Sequence, residues 1–196
     1  FFGANAGYTV TTGGGNTAIG KDSLRLNSTG TGNTALGYVA LENNTNSNNT
    51  ALGYRSLRAN TSGSLNTGVG VDALLNNTTG VGSVAVGYQA LNANNGNFNT
   101  AIGWSTMLNN TTGVNNSAVG IQAMYNNTTG DSNSAFGREA LYSNTSGIEN
   151  VAIGNSSLRF ATASQNVAVG VDSARVNTSG NNLAVVGYRA LYKNTT

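Results

Sequence analysis

The sequence predicts a mainly all-β chain, a parallel β-solenoid or β-roll of about twelve rungs of 16–17 residues each. Three observations predict it. A short glycine-ended segment recurs down the whole chain, the residue before its glycine is β-branched in most copies, and no Pro interrupts any copy. A 16–17-residue unit is too small to bury a core alone, so its stability must come from stacking on its neighbours.

The recurring segment reads NTAIG, NTALG, NTALG, NTGVG, SVAVG, NTAIG, NSAVG, NSAFG, NVAIG and NVAVG. Its closing glycines are Gly20, Gly37, Gly53, Gly70, Gly87, Gly103, Gly120, Gly137, Gly154 and Gly170; Gly3 begins the series and Gly187 continues it. Each slot of the unit is then a column along the stack. The slot before the glycine holds Ile19, Leu36, Leu52, Val69, Val86, Ile102, Val119, Phe136, Ile153, Val169 and Val186, which suits a strand. Ala precedes it in nearly every unit, and adjacent strand residues face opposite ways. A strand apolar on both faces is usually covered on both. One cover is the solenoid interior and the other is a partner, unless the small Ala face simply meets solvent. With the Ile column inside, Ile102→Asn is expected to open the stack. Gln89→Ala, in a permissive slot, is expected to change stability by less than about 0.5 kcal/mol.

Four residues after the glycine stand Leu24, Leu41, Leu57, Leu74, Leu91, Met107, Met124, Leu141, Leu158, Ala174 and Leu191, each preceded by a small residue. No β-branched residue occupies that slot. The choice favours one short helical or 3₁₀ turn per rung over a second strand. Asn recurs seven after the glycine, as Asn27, Asn44, Asn60 and onward, and Gly follows three later, as Gly30, Gly63 and Gly80. Both residue types tolerate positive φ and mark where the chain turns. The Asn opening each strand, from Asn16 and Asn33 to Asn166, suits an amide ladder between rungs.

Composition narrows the function classes. The chain has no His and no Cys, which removes the commonest general base, the commonest metal ligand, and thiolate and disulfide chemistry. A net charge of +2, with scattered basic residues, is too small for a nucleic-acid footprint. No apolar run is long enough to span a membrane as a helix. No secretory signal is visible, but the chain opens on Phe1 rather than Met, and a processed or excised segment would have lost its signal, so the absence excludes nothing. Phe1-Phe2-Gly3 stands in a strand slot and Asn194-Thr195-Thr196 in a turn slot, so the chain reads as one stretch, 1–196, of a longer array.

The candidate chemistry is sparse, and no cofactor or metal is expected. Asp22, Asp72, Glu139 and Asp172 share the slot two after the glycine, but they lie more than one rung of ~4.8 Å apart and read as a solvent-facing column. Arg55 with Asp72, Arg189 with Asp172, and the run Arg25, Glu42, Arg58 read as ion pairs between rungs. GTGNTALG and TGGGNTAIG lack the lysine and context of a phosphate loop, and the calcium β-roll's Asp in each unit is missing. Sequons occur at Asn27, Asn60, Asn77, Asn110, Asn127, Asn144, Asn155 and Asn177, where turn chemistry alone produces them. Tyr38, Tyr54, Tyr88, Trp104 and Tyr188 share the slot after the glycine, and such an aromatic column either contacts sugars or packs on itself.

NTALGY, followed by an Ala-Leu pair and NTTG, resembles repeats in the shafts of bacterial and phage tail-fibre-like proteins. More distantly, the A-I-G core is similar to the heads of trimeric autotransporter adhesins. The resemblance covers the whole chain, though its unit is longer than the adhesin-head unit. It implies a stacked β-roll or β-helix, assembly of copies as a trimer or filament, and attachment without catalysis. The expectation is an extracellular, cell-surface or virion-surface fibre segment, with a host-surface glycan or receptor as further partner. An ice-binding β-solenoid is the alternative, carried by the column Thr17, Thr34, Thr50, Thr67, Thr100 and interrupted by Val84, Val151 and Val167. A polysaccharide-binding or polysaccharide-degrading β-helix is the third reading, and it lacks a cluster of acids within one or two rungs.

Overall fold

A computed structural model describes residues 1–194; Thr195 and Thr196, assigned above to the last turn slot, lie outside the described residues. One three-residue strand opens each rung: β1 (Thr17–Ile19), β2 (Thr34–Leu36), β3 (Thr50–Leu52), β4 (Thr67–Val69), β5 (Val84–Val86), β6 (Thr100–Ile102), β7 (Ser117–Val119), β8 (Ser134–Phe136), β9 (Val151–Ile153) and β10 (Val167–Val169). Near the C-terminal end, β11 (Val176–Asn177) and β13 (Lys193–Asn194) pair with each other, and β12 (Ala184–Val186) joins β10. The main sheet is parallel and eleven-stranded in chain order, with slot facing slot, as in Thr34↔Thr50, Ala35↔Ala51 and Leu36↔Leu52. A single bridge, Phe2↔Ile19, adds a partial rung at the N-terminal end. The β-solenoid read from the repeat is therefore the fold.

Two expectations are corrected. The first concerns which strand face is inside. Every strand of the main sheet buries its central residue and turns the flanking two outward. Ala18, Ala35, Ala51 and their equivalents are fully buried, whereas Ile19 and Ile102 are about 40% exposed (41% and 40%). In most rungs the interior also holds the Leu or Met of the turn segment, its small neighbour and two Asn side chains, all at zero exposure. Volume, not hydrophobicity, decides the slot: beside Leu or Met it holds Ala or Gly, and Val185 enters it where the preceding rung's turn slot holds only Ala174. At Gly68 an added Cβ would sit 2.6 Å from Ser56 Oγ, whose hydroxyl donates to the Gly68 carbonyl. The anticipated collapse on losing Ile102 therefore belongs to the Leu column.

The second correction concerns the segment after the glycine. The described residues contain no helical turn; overlapping β-turns follow each strand. The Ser56 N–H donates to Gly53 O, Arg58 N–H to Arg55 O and Asn60 N–H to Leu57 O. Arg55 (φ 56°) and Leu57 (φ 51°) occupy the third position of successive turns, where positive φ is the signature of type II geometry. The same φ recurs at Leu24, Leu41, Leu74, Leu91, Met107, Met124, Leu141 and Leu158. A left-handed backbone disfavours β-branched side chains, which accounts for their absence from this slot without any helix, although Val39 (φ 52°) accepts it in the preceding turn. The conformation costs roughly 1–2 kcal/mol per residue, while burying a Leu side chain contributes about 1.5–3 kcal/mol. The turn backbone is also hydrogen-bonded to the next rung, as in Leu57 N–H to Ala73 O at 3.0 Å.

The glycine column is the ridge of the stack. All twelve glycines, from Gly3 to Gly187, hold φ between 125° and 143°, a region essentially closed to other residues. From Gly3 to Gly170 each also packs on the next rung's glycine backbone. A Cβ at Gly103 would lie 2.7 Å from Gly120 O and 2.8 Å from Thr106 Oγ1. Gly103→Ala is therefore expected to cost at least ~2 kcal/mol, from strain and clash together. Gly14→Ala, where a Cβ would meet nothing within 4 Å, should change stability by less than ~0.5 kcal/mol. Urea unfolding of both variants checks the contrast.

Candidate interaction surface

Two buried asparagine ladders set the outward geometry of every rung. In the first, Asn60 Nδ2 donates to Asn44 Oδ1 (2.6 Å) in the preceding rung and to Gly63 O (2.9 Å) in its own. In the second, Asn49 Oδ1 accepts the Asn66 N–H (3.0 Å), while Asn49 Nδ2 donates to the same Gly63 O (2.9 Å). The loop glycine carbonyl thus ties both ladders together. The Asn27 and Gly30 columns are conserved in type along the stack for this reason and not for positive φ, which occurs elsewhere, at Asn48, Leu65, Phe98 and Asn115 before the strand Asn. A Cβ at Gly63 would collide with Asn60 Oδ1 and Gly80 O.

The arginines pair with acids, most of them one rung away. Arg55 grips Asp72 through Nε (2.7 Å) and Nη2 (2.8 Å). Glu42 bridges Arg25 (2.8 Å) and Arg58 (2.8 Å) across three rungs. Asp22 accepts from Asn5 Nδ2 at 2.8 Å, Glu139 pairs with Arg159 (2.6 Å) and Arg138 (3.0 Å), and Asp172 with Arg175 (3.4 Å) and Arg189 (3.6 Å). The pairs read from the sequence are present, but the acidic slot is not uniformly solvent-facing: Asp72 is buried at 3% exposure. Among the described residues, no three His, Cys, Asp or Glu side chains gather where they could hold a metal ion.

The aromatic column breaks into stacked pairs. Tyr38 and Tyr54 stack with ring centres 5.6 Å apart and planes 19° from parallel, and Tyr88 and Trp104 stack at 6.2 Å and 13°. Lys21 caps the Tyr38 ring at 5.7 Å and Arg55 the Tyr54 ring at 4.7 Å. Ring faces are thus occupied along the stack and ring edges point to solvent. Val71 separates the two pairs, and Tyr188 stands apart under the Arg189 guanidinium. A second aromatic group escaped the sequence reading. Tyr125 and Tyr142 stack at 5.3 Å, and Arg159 and Arg175 pack over Tyr142, Phe160 and Tyr192. Its signal is the slot five after the glycine, where Tyr125, Tyr142, Arg159, Arg175 and Tyr192 follow one another.

Of the sequons named above, Asn27, Asn60, Asn77, Asn110, Asn127, Asn144 and Asn177 are fully buried in the ladder, and Asn155 is exposed. Further sequons missed in the sequence reading, at Asn48, Asn76 and Asn115, are also exposed.

The largest uniform surface is the outward face of the main sheet. One column reads Thr17, Thr34, Thr50, Thr67, Val84, Thr100, Ser117, Ser134, Val151, Val167 and Ala184; the other is the Ile/Leu/Val column that ends in Val186. No charged residue stands in either column over eleven rungs. No protein-family profile, curated protein or solved structure matches this chain.

Two predictions follow from the ladders and the ion pairs. Ala161 stands where an Asn would donate to Asn144 Oδ1, and that buried oxygen has no partner. Ala161→Asn should repeat the arrangement of Asn94, which donates to Asn77 Oδ1 and Gly96 O, and raise stability by about 1 kcal/mol in urea melts. Burial pushes the Glu42 carboxyl up, but hydrogen bonds from Arg58 and Arg25 outweigh it and hold its pKa below the ordinary 4.5. A depressed folded pKa contributes stability that is present above the unfolded value and lost as pH falls through the folded one. Wild type should therefore weaken more steeply than Glu42→Gln as pH drops from about 5 to 3, measured by thermal melts across that range.

Proposed function

We propose that this chain is a segment of an extracellular structural and adhesive fibre, carried on a cell or virion surface and without catalytic activity. The observation that carries the reading is the in-register parallel sheet of eleven strands, in which rung after rung presents the same outward slots. Stacking of this kind makes a rod whose length grows by ~4.8 Å per rung and whose surface repeats with the same period. The acids and bases support the same reading, because they are engaged in holding rung to rung. The partners under this reading are copies of the chain and a host-surface glycan or receptor. The exposed ring edges of Tyr38, Tyr54, Tyr88, Trp104 and Tyr188 are the candidate contacts for that ligand.

A repeated surface offers many near-equivalent contacts, so attachment should degrade gradually. Beads coated with the chain are scored for retention on whole cells and on a glycan array, with alanine placed at each exposed polar position in turn. Every variant is expected to keep at least about half of the wild-type retention, given that surface substitutions leave such folds within ~0.5 kcal/mol. A single exposed substitution that abolishes retention while leaving the melt unchanged would show a discrete site and overturn the reading.

A further inference from the structure

The main sheet has one covered face and one bare face. The covered face is the Ala column against the Leu and Asn interior. The bare face carries 22 outward residues, two from each of eleven strands, and none of them is charged. Its aliphatic column includes Leu36, Leu52, Ile102, Phe136 and Ile153, each 40–43% exposed.

We infer that this face is the seat of a second copy of the same chain, packed sheet to sheet across a two-fold axis. The inference rests on the structural reading above and deepens it by naming the surface and the partner. Three observations select that occupant. The first is area. Over eleven rungs the two columns expose on the order of 1,000 Å², enough for the ~800 Å² each partner contributes to a standard interface. The second is charge: a basic or acidic partner finds nothing to pair with on the face. The third is period. Side chains stand in rows ~4.8 Å apart, and facing sheets pack ~10 Å apart by interdigitating such rows. A copy presents the same rows over the same eleven rungs, and an isologous contact buries both faces at once.

The test is sedimentation equilibrium of the full chain at micromolar concentration, beside two double variants. Leu52→Lys with Ile102→Lys places ammonium groups on the bare face at positions already open to solvent, so the rungs keep their interior. Thr79→Lys with Thr129→Lys adds the same charge at exposed loop positions off the sheet. Far-UV circular dichroism establishes that both variants retain the fold. The expected result is a wild-type dimer, a dimer for the loop variant, and at least a tenfold weaker association for the face variant. A wild-type monomer overturns the inference, including one whose bare face binds ice and gives thermal hysteresis. An assembly that the face lysines leave intact overturns it equally. Bead retention is scored on the same samples. Retention by a monomeric wild type defeats the dimer and leaves the fibre reading standing, whereas a discrete binding residue defeats the fibre reading and leaves the dimer standing.

Discussion

An amide buried beside the strand of one rung can satisfy its hydrogen bonds only if the next rung brings its own amide to the same height. That constraint organises the whole stack. Asn116 Oδ1 accepts the Asn133 N–H at 2.9 Å, and Asn133 Oδ1 accepts the Asn150 N–H at 2.9 Å, so each rung completes the one before it. A slip of one residue would strand several buried polar groups, at about 1–3 kcal/mol each. The loops absorb the variation in rung length that the ladder forbids. In longer rungs Asn60 reaches Gly63 O, three residues on; in shorter ones Asn44 reaches Asn46 O and Asn94 reaches Gly96 O, two residues on. The amide positions stay fixed while the loop gains or loses a residue.

The repeat itself was open to reading because it is imposed by backbone geometry that one residue type alone supplies. Glycine at φ near 130°, against another rung's glycine, admits no substitute, and it stands out in the sequence at every rung. The ion pairs were readable for a related reason: residues one period apart must be neighbours, as Arg55 and Asp72 are. The direction of the strand faces was not readable. Ala and Ile are both apolar, and hydrophobicity alone favours Ile inside. The choice depends on how much room Leu57, Ser56 and the asparagines leave, which is a property of the closed rung. The turn segment was misassigned because exclusion of β-branched residues has two causes, helix packing and left-handed backbone, and both select Leu and Met.

The aromatic column shows how far a surface can be anticipated. Its existence followed from the period, and stacking was one of two readings kept open. What could not be anticipated is that Lys21 and Arg55 cap the exposed ends of one stacked pair, or that Val71 leaves a gap before the next. Likewise the sequons at Asn60 and Asn127 look accessible in a Thr-rich loop. They are in fact interior struts, because their side chains turn inward to Gly63 and Gly130 carbonyls.

The bare sheet face differs from these features in one respect. Interior slots are constrained by the ladder and by volume, and turn slots by their φ. Nothing in the folding of a rung requires the outward strand positions to be uncharged. Charges of alternating sign are accommodated in this same stack, one rung apart, in Arg25, Glu42 and Arg58. The slot after the glycine also admits Lys21 and Arg138. Yet the two outward strand columns contain only Thr, Ser, Ala, Val, Leu, Ile and Phe through all eleven strands. β-Propensity accounts for the β-branched share, but Ser117, Ser134 and Ala184 are weak strand formers that share only the absence of charge. A restriction that the chain's own packing does not impose, kept without exception along the whole sheet, is what the proposed sheet-to-sheet contact would account for.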